Sequence, residues 1–488
     1  MKVSLKGRLL YFDEVSNYEL DMLKALLNRE DKKSERKVEM LFYNENEGKY
    51  YTYFGYLKLI IDRIGNVFYT KPRRELKIFD REKIKNVGNF ILRDYQIKVV
   101  ENCLREKFGT VVAPTGSGKT VIMLSLINYL DLPTLIVQPT KQLVEQFYKK
   151  MVDSGAFNEE EIGLLYGEKK EVKKITIGTF QTIKSYIEQY PDLMKDFKLL
   201  LYDESSTTQQ ATTGRYIDEF YKDKVEYVIG FTATPYRYKD IDNSIEDFIM
   251  LGLTGKPIAQ IPLMFLVKKG YLAKPYVYFE RINAPAAKIK NWHTVYRNYI
   301  ENFERRNLKI AEWITKFYRN NIKVMSLVVT KKHARNVFNL LPEDVKKEAI
   351  IVFGNNQGMI YDYGDLRYTY IDYNDLLYKV ENGIDYKVVI ATQIFNQGTD
   401  LPSLGALIMA FGGKSNVQIF QKLGRVLRLS ENKDKTFIID FFDDTHPYLR
   451  NHSYKRIKSY QEEGIPIITD RMELEEMIKE ESLLKGGN

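Results

Sequence analysis

The octapeptide Ala113-Pro114-Thr115-Gly116-Ser117-Gly118-Lys119-Thr120 follows the apolar β-type run Thr110–Ala113 and opens the helical run Val121–Leu130. This strand, loop and helix belong to a longer alternation. From about residue 105, short β-rich runs alternate with helical patterns, the signature of a parallel α/β sheet. One set comprises Thr110–Ala113, Thr134–Val137, Ile175–Ile177, Leu199–Tyr202 and Tyr227–Gly230. A second comprises Val324–Val329, Ile350–Phe353, Val388–Ile390, Ala406–Met409 and Phe437–Asp440. Between them Ile282–Lys288 is poor in large apolar residues and reads as linker. At 488 residues, with 44% hydrophobic and 28% charged side chains, the chain has material for several cores, which excludes global disorder.

In the octapeptide, glycines let backbone N–H groups converge on phosphate oxygens. Lys119 can neutralise the β and γ phosphates, and the Thr120 hydroxyl can reach Mg²⁺. A glycine-rich surface turn is the bland alternative. Leu199-Leu200-Leu201-Tyr202-Asp203-Glu204 ends an apolar strand in two carboxylates, where a parallel sheet presents its ligand side. There Asp203 can hold the Mg²⁺ hydration shell while Glu204 polarises the attacking water. Either motif alone has an ordinary structural explanation; together they read as an ATPase. In Gln421-Lys422-Leu423-Gly424-Arg425-Val426-Leu427-Arg428, arginines three apart are expected on one helical face, able to grip a phosphoryl group in transfer. The apolar Leu423, Val426, Leu427 and Leu429 weaken the alternative of a solvated basic face.

In this order the motifs resemble those of superfamily 2 helicases and translocases. Leu92-Arg93-Asp94-Tyr95-Gln96 matches the Q-type motif, so the resemblance implies that Gln96 reads adenine and that Arg93 lies beside the nucleotide. Thr115, Gly116, Ser117, Gly118, Lys119 and Thr120 would cradle the phosphates. Pro139-Thr140-Lys141-Gln142-Leu143 and Gly178-Thr179-Phe180-Gln181-Thr182 are similar to strand-gripping motifs, implicating Pro139, Thr140, Lys141, Gly178, Thr179 and Gln181 in nucleic-acid contact. Thr232-Ala233-Thr234 resembles the coupling motif, and Thr330 and Thr392 fall at second-lobe strand contacts. Gln397-Gly398-Thr399-Asp400 is similar to the motif whose Gly398 and Asp400 would face nucleotide, and Gln421, Arg425 and Arg428 would act in hydrolysis. Ser205 and Ser206 replace the pair that usually completes the Asp-Glu box. Ser206 keeps a hydroxyl but with short reach, which puts the coupling route in question.

The Q-type motif and Lys269-Gly270-Tyr271-Leu272-Ala273-Lys274-Pro275 resemble the DNA-acting branch containing bacteriophage UvsW-type helicases. The resemblance implies two RecA-like lobes forming a helicase motor, ATP and Mg²⁺ as cofactors, and branched, forked and single-stranded DNA as partners. Expected divisions are a small α+β module over 1–88, a first lobe over 89–255, a connection over 256–300, a second lobe over 301–442 and a helical tail over 443–488. ATP would lie between the lobes, with Arg425 and Arg428 completing the site on closure. An RNA helicase, the motor subunit of a restriction system and an ATP-gated clamp are the alternatives.

Residues 1–88 carry 19 basic and 14 acidic side chains, over half of the chain's net charge of +9. Lys71, Arg73, Arg74, Lys77, Arg81, Lys83 and Lys85 suggest a phosphate-binding surface or a solvated linker face. Removing the module is expected to spare single-strand-stimulated ATPase. The stretch Asn355–Tyr370, with Tyr361, Tyr363, Tyr368 and Tyr370, suggests a hairpin that stacks on bases or an ordinary aromatic-packed loop. The lone Cys103 excludes an internal disulfide framework, and His293, His333, His446 and His452 lack metal-ligand spacing. Neither a signal-type segment nor a membrane-length apolar run is evident, so a soluble intracellular protein is expected, in host cytoplasm if phage-encoded.

Overall fold

The computed structural model describes the chain except residues 32–35, 66, 70–77, 209–211, 234–243, 285–288, 290, 354–356, 363–366, 372–385, 393–402, 414–423, 425, 430–432 and 487–488. It forms two compact units, residues 1–113 with 118–260, and residues 114–117 with 261–488.

The first unit is built on an eight-stranded sheet. Its spatial order is Lys169–Lys170, Ile162–Tyr166, Ile175–Thr179, Thr134–Gln138, Leu199–Tyr202, Tyr227–Thr232, Phe108–Val112 and Pro257–Gln260. Every neighbouring pair is parallel except the edge hairpin made by the first two strands. Thr134–Gln138, Ile175–Thr179 and Tyr227–Thr232 are buried at every residue. Helices on both faces leave no solvent side, so continuous apolar runs replace strand alternation. These parallel sheets resemble RecA-like lobes.

The second unit has a nine-stranded sheet. Its order is Arg367–Ile371, Gln357–Asp362, Ala349–Phe353, Val388–Ala391, Val324–Leu327, Ala406–Ile408, Lys435–Asp444, Lys274–Asn283 and Ile467–Ile468. Its core centres on Trp313, Ile314 and Phe317, packed against Ile351, Ile390, Ile408 and Ile439. The segment 256–300 is therefore not a connection alone. Pro257–Gln260 closes the first sheet, and Lys274–Asn283 pairs with all of Lys435–Asp444, from Lys274 opposite Lys435 to Asn283 opposite Asp444. Ile282 is a buried strand residue, so the expected linker begins too early. The 442/443 boundary likewise cuts a strand, after which the tail forms the helices Pro447–Glu462 and Arg471–Gly486.

Residues 2–69 hold both strands and helices. A five-stranded sheet is ordered Phe42–Asn44, Lys49–Tyr53, Leu9–Asp13, Lys2–Lys6, Phe68–Tyr69 and accompanied by the helices Asn17–Leu27 and Leu57–Ile64. Ser16 and Glu19 cap the first helix reciprocally. The module does not close its own core. Leu9, Leu10, Tyr53, Tyr56 and Ile60 share a cluster with Phe248, Ile249, Leu251 and Leu253 of the helix Ile245–Leu253. Gly252 is required there, because a Cβ would come within 2.5 Å of the Tyr56 hydroxyl. Among the described residues, no helix is long and apolar enough to cross a membrane.

Candidate nucleotide site and strand-facing residues

The glycine-rich loop follows Phe108–Val112, which lies beside Tyr227–Thr232, and the Ala113 N–H donates to the Thr232 carbonyl at 2.8 Å. Gly116 and Gly118 have φ of +86° and +80°, a conformation open to glycine at little cost. Gly118 caps the helix Lys119–Leu130, whose first turn directs free N–H groups and the positive dipole end towards the loop. Gln96 lies against that cap: a Cβ at position 118 would fall 2.3 Å from its Nε2. Its Oε1 accepts the Arg93 N–H at 2.8 Å, which fixes the amide's orientation at the start of the helix Asp94–Glu106.

Lys119 Nζ stands 3.2 Å from Glu204 Oε1, and both side chains are mostly buried. The Glu204 N–H donates to Asp203 Oδ1 at 3.0 Å, and the Asp203 N–H donates to the Val137 carbonyl at 3.0 Å. Glu204 has φ of +45°, an unfavourable conformation for a residue with a Cβ, held by the turn into Ser205–Thr208. Burial raises the pKa of Asp203 above the ordinary carboxylate range, and the Glu204 charge adds to this. Lys119, the Glu204 N–H and Gln138 oppose the shift. Such a buried carboxylate gains most from a nearby cation. The donor set of Asp203 and the Thr120 hydroxyl consists of the hard oxygens that Mg²⁺ prefers, so these residues fit that ion.

Thr232 Oγ1 donates to Ser206 Oγ at 3.1 Å, so the short serine side chain reaches the strand Tyr227–Thr232. Thr234 lies outside the described residues. Thr140 and Thr179 stand at the C-terminal ends of parallel strands and cap the helices Lys141–Ser154 and Phe180–Gln189. Thr140 accepts the Leu143 N–H, whereas Thr179 donates to Thr182. Lys141 and Gln181 are exposed at these helix starts, while Pro139 is buried. Gly178 has a packing reason, since a Cβ there would come within 2.9 Å of Leu165 and Ile183 atoms.

In the second unit, Thr330 caps the helix Lys331–Asn339 and accepts the His333 N–H at 3.1 Å. Thr392 is buried beyond Val388–Ala391. Gly398, Asp400, Gln421 and Arg425 lie outside the described residues. Arg428 departs from the helical expectation. Gly424 and Val426 are helical, but Arg428 makes an antiparallel bridge with Leu272, and the Ala273 N–H donates to the Leu427 carbonyl at 2.7 Å. Backbone pairing with Gly270–Lys274 thus ends the helix before the second arginine.

Sequence reasoning missed the residues that attach the N-terminal module to this site. Arg8 Nη1 donates to Asp218 Oδ1 at 2.9 Å and to the Leu253 carbonyl at 3.0 Å, while Nη2 donates to the Asp218 carbonyl at 2.6 Å. Tyr51 and Tyr53 donate to the Glu219 carboxylate at 3.2 and 3.1 Å. Asp218 and Glu219 belong to the helix Thr212–Phe220, the second helix after the Asp203-Glu204 turn. The only sequence signal was a single arginine flanking the apolar run Leu9–Phe12. Of the seven basic residues over 71–85, Lys71, Arg73, Arg74 and Lys77 lie outside the described residues. Arg81 is engaged by Glu101 at 2.6 Å, and Lys83 donates to the Tyr129 carbonyl at 3.1 Å, so both brace the first unit.

The family pattern described as Type III restriction enzyme, res subunit matches residues 89–259. The DNA 3'-5' translocase XPB2 of Sulfurisphaera tokodaii is 26% identical over 379 residues, covering 71% of this chain and 80% of that protein. The ATP-dependent DNA helicase uvsW of Enterobacteria phage T4 is 22% identical over 378 residues, covering 72% and 71%. Among solved structures, the ATP-dependent Type ISP restriction-modification enzyme LlaBIII bound to DNA shares the fold, with a TM-score of 0.53 and 16% identity over 87% of this chain and 33% of that one.

Proposed function

We propose that this chain, a superfamily 2 helicase with a ResIII-like ATPase related to DNA translocases and helicases, hydrolyses ATP to move along DNA and remodel branched duplexes. The observation that carries this reading is the convergence of Lys119, Glu204 and Asp203, with Gln96 held against Gly118. Loop N–H groups and Lys119 bind the β and γ phosphates, and Gln96 reads the base. Thr120 and Asp203 would hold Mg²⁺, which would supply charge neutralisation at the phosphates. Glu204 orients the attacking water and takes its proton, while Arg425 and Arg428 stabilise charge on the transferring phosphoryl group. The Ser206–Thr232 contact carries the change at the Asp-Glu turn to the coupling strand. Thr140, Thr179, Thr330 and Thr392 grip the strand backbone.

The preferred substrates are forks, Holliday junctions and recombination loops, a reading that rests on the UvsW-like motifs, while the T4 relative, a DNA helicase, supports DNA as the substrate. Movement from 3′ to 5′ is proposed from the Sulfurisphaera tokodaii translocase. A second reading, the motor subunit of a restriction system, is favoured by the match over residues 89–259. ATP-dependent unwinding by the purified chain should be compared on a Holliday junction, a fork, a tailed duplex and an RNA duplex. The expected result is fast resolution of the two branched DNAs without a nuclease partner. Preference for the RNA duplex would overturn the assignment, and DNA-stimulated ATPase with no strand displacement would favour the restriction motor.

The expected hairpin is present in its strands. Gln357–Asp362 pairs antiparallel with Arg367–Ile371, placing Tyr361 opposite Tyr368 and Tyr370 opposite Met359, at the outer edge of the second sheet. Tyr370 is 62% exposed, and Tyr363 lies outside the described residues. As a wedge, this hairpin would stack on bases where strands part. Alanine at Tyr361, Tyr368 and Tyr370 is then expected to reduce unwinding while sparing DNA-stimulated ATPase. Equal loss of both activities, or of neither, would reject the wedge.

A further inference from the structure

The C-terminal edge of the second sheet carries an aromatic group that none of the helicase motifs includes. The parallel strands Val324–Leu327, Val388–Ala391, Ala406–Ile408, Lys435–Asp444 and Lys274–Asn283 all end on this edge, the side on which such sheets place ligands. Past the last of these, Trp292–Tyr296 is helical and runs into a π-helical turn at Arg297–Glu301, closed by the Asn302 N–H on the Arg297 carbonyl at 2.9 Å. Such turns are rare and concentrate at functional sites. Val295 and Ile300 anchor the segment against Leu449, with Val329 packed alongside. The Asn307 and Asn336 amides both donate to the Glu301 carbonyl, at 2.9 and 3.0 Å. Buried His333 bonds Asn307 through Nε2 at 3.0 Å. His333 and Asn336 lie on the helix capped by Thr330, so the turn is fixed to a proposed strand-gripping element.

Three rings form a stepped column on this support. Tyr299 and His446 lie 6.4 Å apart with an interplanar angle of 30°, and His446 and Tyr448 lie 5.2 Å apart at 26°. His446 is buried, whereas Tyr448 is 48% exposed and ends the column. Trp292 stands perpendicular to Tyr448 at 6.3 Å, like a wall beside a floor, and is itself backed by Tyr296 and His452 at 5.1 and 5.0 Å. Arg297 is exposed on the same segment, and Asp444 is shared between Arg281 and Arg450. An exposed ring face bounded by an edge-on indole, with Arg297 exposed on the same segment, suits a planar base on a phosphate backbone.

We propose that Tyr448 and Trp292 form a stacking site for one nucleobase of single-stranded DNA, adding a side-chain grip on bases to the backbone grip of the threonine motifs. This rests on the reading of the chain as a DNA motor and names a contact that the motor motifs lack. The chain's two tryptophans allow a direct test. Trp313 is fully buried and donates to Glu280 at 2.9 Å, so quenching by bound DNA reports on Trp292. Oligothymidylate should quench tryptophan emission of the full-length chain, and Trp292→Phe should remove the quench. Tyr448→Ala should weaken binding about tenfold, within the range of one base–aromatic stack, with its thermal unfolding midpoint near the parent value. Tyr448→Phe should keep the affinity. Binding seen by anisotropy of a labelled oligonucleotide without a change in emission, or with equal affinity in Tyr448→Ala, overturns the stacking site alone. If no oligonucleotide binds, the motor reading falls and this site with it.

Discussion

Lys119→Ala and Glu204→Gln are each expected to abolish nucleic-acid-stimulated ATP hydrolysis, and Arg428→Ala to slow it about 10³-fold or more, the scale of a lost arginine finger. The two abolishing variants should differ in binding. Lys119→Ala removes the ammonium proposed to meet the phosphates, so affinity for ATP should fall with turnover. Glu204→Gln leaves the loop intact and also removes the carboxylate that stands 3.2 Å from Lys119, so ATP should bind at least as tightly as in the parent. Equilibrium binding of a fluorescent ATP analogue beside steady-state phosphate release separates the two. Turnover by Glu204→Gln at the parent rate would show that another group activates the water. The same measurements on Ser206→Ala, which deletes the hydroxyl accepting from Thr232, should show hydrolysis retained with its stimulation by DNA reduced.

Deleting residues 1–88 should unfold the first unit rather than yield a working motor. This reverses the expectation from sequence that the module is separable. The deletion exposes Phe248, Ile249, Leu251 and Leu253, each fully or almost fully buried, at about 1.5–3 kcal/mol per side chain. It also strips Asp218, fully buried, of its guanidinium partner, and breaking such a pair costs about 3–5 kcal/mol. Together these losses match or exceed the roughly 5–15 kcal/mol by which a domain is stable. Arg8→Met tests the ion pair by itself, and its unfolding midpoint should fall by about 10 °C. Arg8→Met combined with Asp218→Leu should recover much of that loss, because no unpaired charge is then buried. A truncated chain that melts cooperatively near the parent temperature and hydrolyses ATP would show that the module is dispensable.

The features legible in the sequence were those written within a few neighbouring residues. A strand, a glycine turn and a helix start are contiguous in Phe108–Thr120, and an apolar run ending in carboxylates is contiguous in Leu199–Glu204, so local pattern sufficed for both. The Asn355–Tyr370 hairpin was legible for the same reason, since its strands are adjacent in the chain. Lys274–Asn283 was not, because its partner Lys435–Asp444 comes some 160 residues later and no local signal distinguishes such a strand from a connection. The Arg8–Asp218 pair spans 210 residues, and Arg8 owes its meaning to a buried carboxylate that only packing supplies. Arg428 shows local pattern being overridden: its spacing from Arg425 fits a helix, yet pairing with Leu272 makes it extended. Tyr299, His446 and Tyr448 become a column only when a strand end and a π-turn are brought to one edge of a sheet. Sequence by itself therefore determined the strand, glycine turn and helix of Phe108–Leu130 and the strand ending at Asp203 and Glu204, whose groups lie close along the chain. Tertiary structure decided how the N-terminal segment is attached, where Arg428 is held and what stands beside the helix capped by Thr330, because those contacts join residues that are distant along it.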